Sequence, residues 1–259
     1  MILRAPSVAL RSMSQGRNEA TIRDSDGPFG SRQAWLAVAL LPLLVIGAST
    51  AFGHAISEDN ASYVEALDGP AIPAFTYLGA KHMVTGFDHL LFLVGVVFFL
   101  HRLKDVLLYV SLFTLGHSIT LLTGVLAEWK VDAYIVDAII GLSVVYKAFE
   151  NMGGFERVFG FTPSTRAAVL VFGLFHGLGL ATKVQELALS DNGLVTNLVS
   201  FNVGVELGQF SALVGVVGLL LWWRRQPSFE RSAFGVNATL MTAGFVLTEY
   251  QLAGWMLNS

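Results

Sequence analysis

Within the stretch KHMVTGFDHLLFL, Lys81 to Leu93, the sequence places His82, Asp88 and His89 at the mouth of a long apolar run. On a continuous helix of about 100° per residue, a ring seven positions on falls about 20° short of two turns, so His82 and His89 share one face. Asp88 lies about 100° round from His89, where a carboxylate can orient an imidazole or add a ligand. Leu90 to Leu100 then carries no charge. Ionisable groups taken into such a segment are costly and mark an ion or proton site.

Further along, FTLGHSITLL sets His117 and Ser118 beside Gly116, and GLFHGLGLA sets His176 among Gly173, Gly177 and Gly179. One buried histidine is ordinarily a satisfied structural group, and Ser118 can bond back to its own helix. In NLVSFNVGVELGQF, Asn202, Glu206 and Gln209 recur at spacings of four and three, which gives a polar stripe on one helical face. The candidate metal-binding set is therefore His82, Asp88, His89, His117, His176 and Glu206, with Asn202, Gln209, Ser118 and His54 in support. Asp137 and Glu249 are weaker candidates, as outer partners or proton carriers. Cysteine is absent, which removes disulfides, thiolate sites and cysteine nucleophiles. Imidazole with carboxylate suits Ni, Zn, Co, Cu(II) or Fe(II) without choosing among them.

The elements that must carry these groups are membrane helices. Of 259 residues, 54% are hydrophobic and 14% charged, the formal charge is -3 and the mean hydropathy is +0.61. Such values define an integral membrane protein. With no basic tract outside the leader, nucleic acid is not an expected partner. The expected fold is all-α, a polytopic transmembrane bundle of about six spans following an N-terminal signal peptide or signal anchor. Residues 1–53 form the leader, with Arg4, Arg11, Arg17, Arg23 and Arg32 before the apolar segment Trp35 to Phe52. Cleavage after Ala51 releases Phe52, and cleavage after Gly53 releases a chain whose first residue, His54, can chelate through its amine and ring; retention as an anchor is the alternative. Residues 54–74 form a short external segment, and 75–259 the membrane domain.

Six runs approach the length of about 20 residues that a hydrocarbon core requires. They are placed at Phe75–Leu100, Val106–Leu126, Val131–Phe149, Ala167–Ala181, Leu194–Trp223 and Ala233–Leu257. The loops with Arg102, Lys104, Arg157, Arg166, Arg224, Arg225 and Arg231 fall on one side, with Lys147 at the same end of its span. Only Lys81, Lys130 and Lys183 fall on the other. By the positive-inside rule the first side is cytoplasmic, so residues 54–74 and the 82–89 cluster face outward.

Through GAKHMVTGFDHLLFL, FTLGHSITLL, AIIGLSVVYKAFEN, GLFHGLG and SFNVGVELGQ, in that order, the chain from about Gly53 to the C-terminus resembles the HupE/UreJ family of bacterial membrane proteins. The GLFHGLG and NVGVELGQ forms resemble its second branch. The resemblance implies a permease-like protein of the bacterial inner membrane that passes nickel or cobalt to metalloenzyme maturation, with the family's His and Asp motif on His82, Asp88 and His89. Its partners would be the lipid bilayer, the metal ion, and a metalloenzyme or its maturation proteins.

Three expectations follow for function. The first is a divalent metal permease or delivery protein that captures the ion at His82, Asp88 and His89 and hands it to His117, His176 and Glu206. The alternative is an intramembrane metal enzyme, zinc hydrolase-like or iron oxidase-like, holding a permanent ion on His82, His89 and His176 or His117, with Glu206 or Asp88 as base. An accessory subunit with a structural ion is a third. No P-loop motif is present, so direct ATP drive by this chain is not expected.

Overall fold

The computed structural model describes residues 58–187 and 189–258, and every regular element among them is a helix. The leader with its two cleavage sites, and His54, lie outside the described residues. After a short helix α1 (Glu58–Glu65) comes α2 (Ile72–Thr85), which carries a proline in its first turn, where a missing N–H costs nothing. Asn197, near the start of a later helix, accepts from the Ala71 amide at 2.7 Å and donates to the Gly69 carbonyl at 3.1 Å, fixing the entry to α2.

At Gly86 the backbone leaves the helix (φ -72°, ψ 103°) and α3 (Phe87–Val97) departs at 64° to α2. A Cβ at this position would come within 2.9 Å of His89 Nδ1 and 3.0 Å of the His82 carbonyl oxygen. A larger residue would have to push the His89 ring or the His82 carbonyl aside. This corrects the expectation of one continuous span over Phe75–Leu100 with His82 and His89 stacked on a single helical face: the two rings stand on separate helices.

Then follow α4 (Leu103–Leu126), α5 (Ala133–Asn151), α6 (Gly154–Phe159), α7 (Thr165–Gln185), α8 (Leu194–Trp223) and α9 (Ser228–Asn258). Asp132 starts α5 by accepting from the Ile135 amide at 3.1 Å. The expected run Leu194–Trp223 coincides with α8, while α7 extends beyond both ends of the run expected over 167–181.

Six of these helices are joined in three close pairs, each through glycines whose hydrogen lies against the neighbouring backbone. In α2 and α8, Gly79 faces Phe201 and Val205, Gly204 faces Thr76, and Gly208 faces Ala80. In α4 and α7, Gly116 faces Leu170 and Leu174, Gly173 faces Phe113, and Gly177 faces His117. Both pairs run parallel, as the rising residue numbers on each side show. In α5 and α9, Gly141 faces Thr248 and Gly244 faces Val145, so this pair is antiparallel. Small residues that let backbones touch are the means by which apolar helices associate where burial of apolar surface gives little net gain.

The short helix α3 is the hub among these pairs. Its Phe92, Leu93, Val96 and Val97 form one core with Phe113 of α4, Val144 of α5, Val169 of α7, Leu213 of α8 and Leu240 of α9. Arg224, just past α8, donates to the carbonyls of Val97 and Leu100 at 2.7 Å each and of Phe98 at 2.5 Å, satisfying the carbonyls that a helix end leaves open.

Among the described residues three helices, α4, α7 and α8, are long and apolar enough to cross a membrane, and the bent pair α2 with α3 makes a fourth if it counts as one span. Helix α5 has the length, 19 residues, but carries Asp137, Lys147 and Glu150; α9 carries Glu249 among several amides and hydroxyls. Their polar groups turn out to face neighbouring helices at several points, which is how such residues are accommodated within a bundle.

Candidate metal centre

Four helices deliver imidazoles to one place. His82 comes from the last turn of α2, His89 from the first turn of α3, His117 from the middle of α4 and His176 from α7. All four are buried, His117 and His176 to 0% and 1% exposure. Ring centroids of His89 lie 4.9 Å from His82, 4.8 Å from His176 and 6.1 Å from His117. His89 is the hub.

The local reasons are legible helix by helix. The break at Gly86 turns His89 back toward His82, and Gly177, packed on the His117 carbonyl, brings α7 close enough to α4 for His176 to join. Phe113 and Phe92 form the apolar floor, with ring centroids 4.9 Å and 5.5 Å from His176, while Phe201 flanks His82 at 6.0 Å. Sequence reasoning did not single out these aromatic walls.

The hydrogen bonds set which ring nitrogens are free. His176 Nδ1 lies 2.7 Å from the Phe172 carbonyl oxygen, an acceptor only, so Nδ1 carries the proton and Nε2 holds a lone pair. His89 Nδ1 lies 3.0 Å from Asp88 Oδ1. A carboxylate accepting from Nδ1–H leaves His89 Nε2 as a donor to a metal in the same way, the usual support for a metal-bound imidazole. Neither Nε2 has a hydrogen-bond partner, nor does either nitrogen of His82 or His117. Buried polar atoms are nearly always satisfied; one nitrogen of each neutral ring keeps a lone pair, so the four histidines offer four nitrogens that could hold a metal ion.

Two groups of three ligand atoms meet the distance requirement, each within 4.8 Å of one another: His82, His89 and His117, and Asp88, His89 and His176. Metal–nitrogen bonds of about 2.0–2.1 Å would place neighbouring ligand atoms closer than that, so either set would have to contract around an ion. His89 belongs to both, so the two sets overlap rather than form independent sites.

The remaining expected residues divide. Ser118 donates to Asn202 Oδ1 at 3.1 Å, and Thr114 donates to Gln209 Oε1 at 2.7 Å, so Asn202 and Gln209 brace α8 against α4 beside the cluster. Glu206 does not join them. It is exposed on the outer flank of α8, because this seam is narrow and admits side chains about 20° apart but not one a further 40° round. His101, the other described histidine, is exposed in the turn between α3 and α4. Asp137 pairs with Lys183 at 2.8 Å, linking α5 to the end of α7. Glu249 is exposed on α9.

Apolar helices, glycine-sealed pairs and a buried imidazole cluster together define a multi-pass helical membrane protein with an internal polar site. Residues 58–259 match the family model described as HupE / UreJ protein, in its second form, and the chain belongs to that family. No curated protein and no solved structure matches the chain.

Proposed function

We propose that this protein is a permease or membrane delivery protein for a divalent transition metal, nickel or cobalt, with His89 as the central ligand. The observation that carries the reading is the set of unpartnered, buried imidazole nitrogens contributed by four helices. The family's association with nickel and cobalt transport supports the same cargo. Two overlapping triads sharing His89 suit an ion that moves: it can exchange one set of partners for the other without ever losing that imidazole. Neutral imidazoles with a single carboxylate bind a divalent ion firmly yet release it on protonation of the rings, as transport requires.

In this reading α2 with α3, α4, α5, α7, α8 and α9 make six crossings of the bacterial inner membrane, with residues 54–74 on the periplasmic side. The arginine-bearing loops then face the cytoplasm, in keeping with the positive-inside rule. The test is uptake of Ni(II) or Co(II) into proteoliposomes carrying purified protein. Wild type fills the vesicles and His89→Ala does not; equal uptake by a well-folded His89→Ala removes the proposal.

A second reading is favoured by the depth of the cluster. Imidazoles at 0% and 1% exposure suit an ion that never leaves, as in an intramembrane metal enzyme or a structural site. One ion per chain that survives extended chelation, with no vesicle uptake, selects that reading.

A further inference from the structure

Helix α5 carries a second buried polar group, which the imidazole site does not use. Lys147 Nζ lies 3.0 Å from Glu150 Oε2, and both side chains are only 9% exposed. The other oxygen of Glu150 accepts a hydrogen bond from Thr165 of α7. Asn151 donates its amide to the Gly95 carbonyl of α3 at 2.8 Å and to Asn237 Oδ1 of α9 at 2.9 Å. Asn237 itself is 1% exposed. The ion pair thus joins α5 to α7, and Asn151, next to it in the chain, joins α5 to α3 and α9.

The group stands in register with the imidazoles. Gly95 follows His89 by six residues on α3, a rise of about 9 Å. At Gly95 an added Cβ would come 3.1 Å from Lys147 Cγ, so α3 rests directly on the lysine stem. Between the two polar groups lies a single apolar layer, in which Phe92 packs against Phe113 and Phe172 with centroids 5.4 Å and 5.8 Å apart. A buried ion pair is weak evidence for stability, since apolar residues of the same volume often serve as well. In an apolar bundle, charge retained at such a position points to function.

Resting on the transport reading, we propose that the oxygens of Glu150, Asn151 and Asn237 form a second cation station beyond the Phe92 layer, and that Lys147 is its tethered resident cation. A divalent ion leaving the imidazoles takes the carboxylate and amide oxygens while the Lys147 ammonium withdraws. The return of Lys147 restores charge neutrality and expels the ion. Oxygen ligands hold these metals less firmly than imidazoles do, so the ion passes from a capturing site to a releasing one. The exchange at the station breaks no covalent bond and moves no electron.

Removing the tethered charge exposes the station. In Co(II) titrations of detergent-purified protein, followed by visible absorption, Lys147→Met is expected to bind one more ion per chain than wild type. The added site should show the weak bands of octahedral oxygen coordination, and should vanish in Lys147→Met/Glu150→Gln while the imidazole site remains. A stoichiometry equal to wild type in Lys147→Met, and in Lys147→Gln as a second folded variant, overturns the proposal. In proteoliposomes, Glu150→Gln should keep Co(II) binding at the cluster and lose at least about tenfold in uptake, a difference of about 1.4 kcal/mol in barrier. Wild-type uptake by Glu150→Gln overturns the station's role in transport. Equal uptake by wild type and His89→Ala instead defeats the transport reading, while the added Co(II) in Lys147→Met still decides whether the station binds cations.

Discussion

His89 is the residue that both triads share, which gives the cluster an unequal hierarchy. Co(II) affinity, measured by titration in detergent, should therefore fall most in His89→Ala. His117→Ala and His176→Ala each leave one triad complete and should lose less. Asp88 holds His89 Nδ1–H, which leaves Nε2 with the lone pair, and it also belongs to one of the two triads. Replacing it by asparagine should cost roughly 10–100-fold in Co(II) affinity, the usual effect of removing the partner behind a metal-bound imidazole. The same change should leave the number of ions bound unaltered. Glu206, exposed on α8, should tolerate glutamine without loss of Co(II) binding.

At the scale of elements, the short break at Gly86 sets the site and the glycine contacts set the bundle. Gly86→Ala forces a Cβ against the His82 carbonyl and the His89 ring. It should preserve helical circular dichroism while abolishing tight Co(II) binding, because the ligands move apart while the helices remain. Gly204 is different in kind. Its hydrogen faces the Thr76 carbonyl across the α2 and α8 contact, so Gly204→Ala should destabilise the fold by about 1–3 kcal/mol in detergent unfolding, as overpacking does. Gly215 lies on the same helix with open space around it, and its alanine variant should stay within about 0.5 kcal/mol of wild type.

For the whole molecule, the three glycine-sealed pairs stand around α3 as a hub, with the imidazoles at one end of that helix and Lys147 with Glu150 toward the other. On the transport proposal, an ion passing between the two polar groups travels along α3. Orientation in the membrane is open to a direct test, since the natural chain lacks cysteine. Single cysteines at Lys130, between α4 and α5, and at Gln226, between α8 and α9, are exposed in the structure. A membrane-impermeant thiol reagent applied to intact spheroplasts should label Lys130→Cys and spare Gln226→Cys. The reverse pattern would invert the proposed topology.

The helical class, the family and the grouping of histidines among apolar runs were legible in the chain before any fold was known. These are properties of composition and of local order: apolar runs of fixed length, a fixed set of histidines and five motifs in fixed succession. Asn202 and Gln209 were also legible, because their spacing places them within about 20° of each other on any helix. The tertiary structure decided what depends on contacts between segments distant in the chain. Helical counting assumes an unbroken helix, so it could not foresee that His82 and His89 meet across a 64° bend at Gly86. It placed Glu206 in the polar stripe, but the width of the seam between α4 and α8 is set by their packing, and that left Glu206 outside. Lys147 and Glu150 read as groups near a helix end; only the approach of α3, α7 and α9 made them a buried pair in line with the imidazoles.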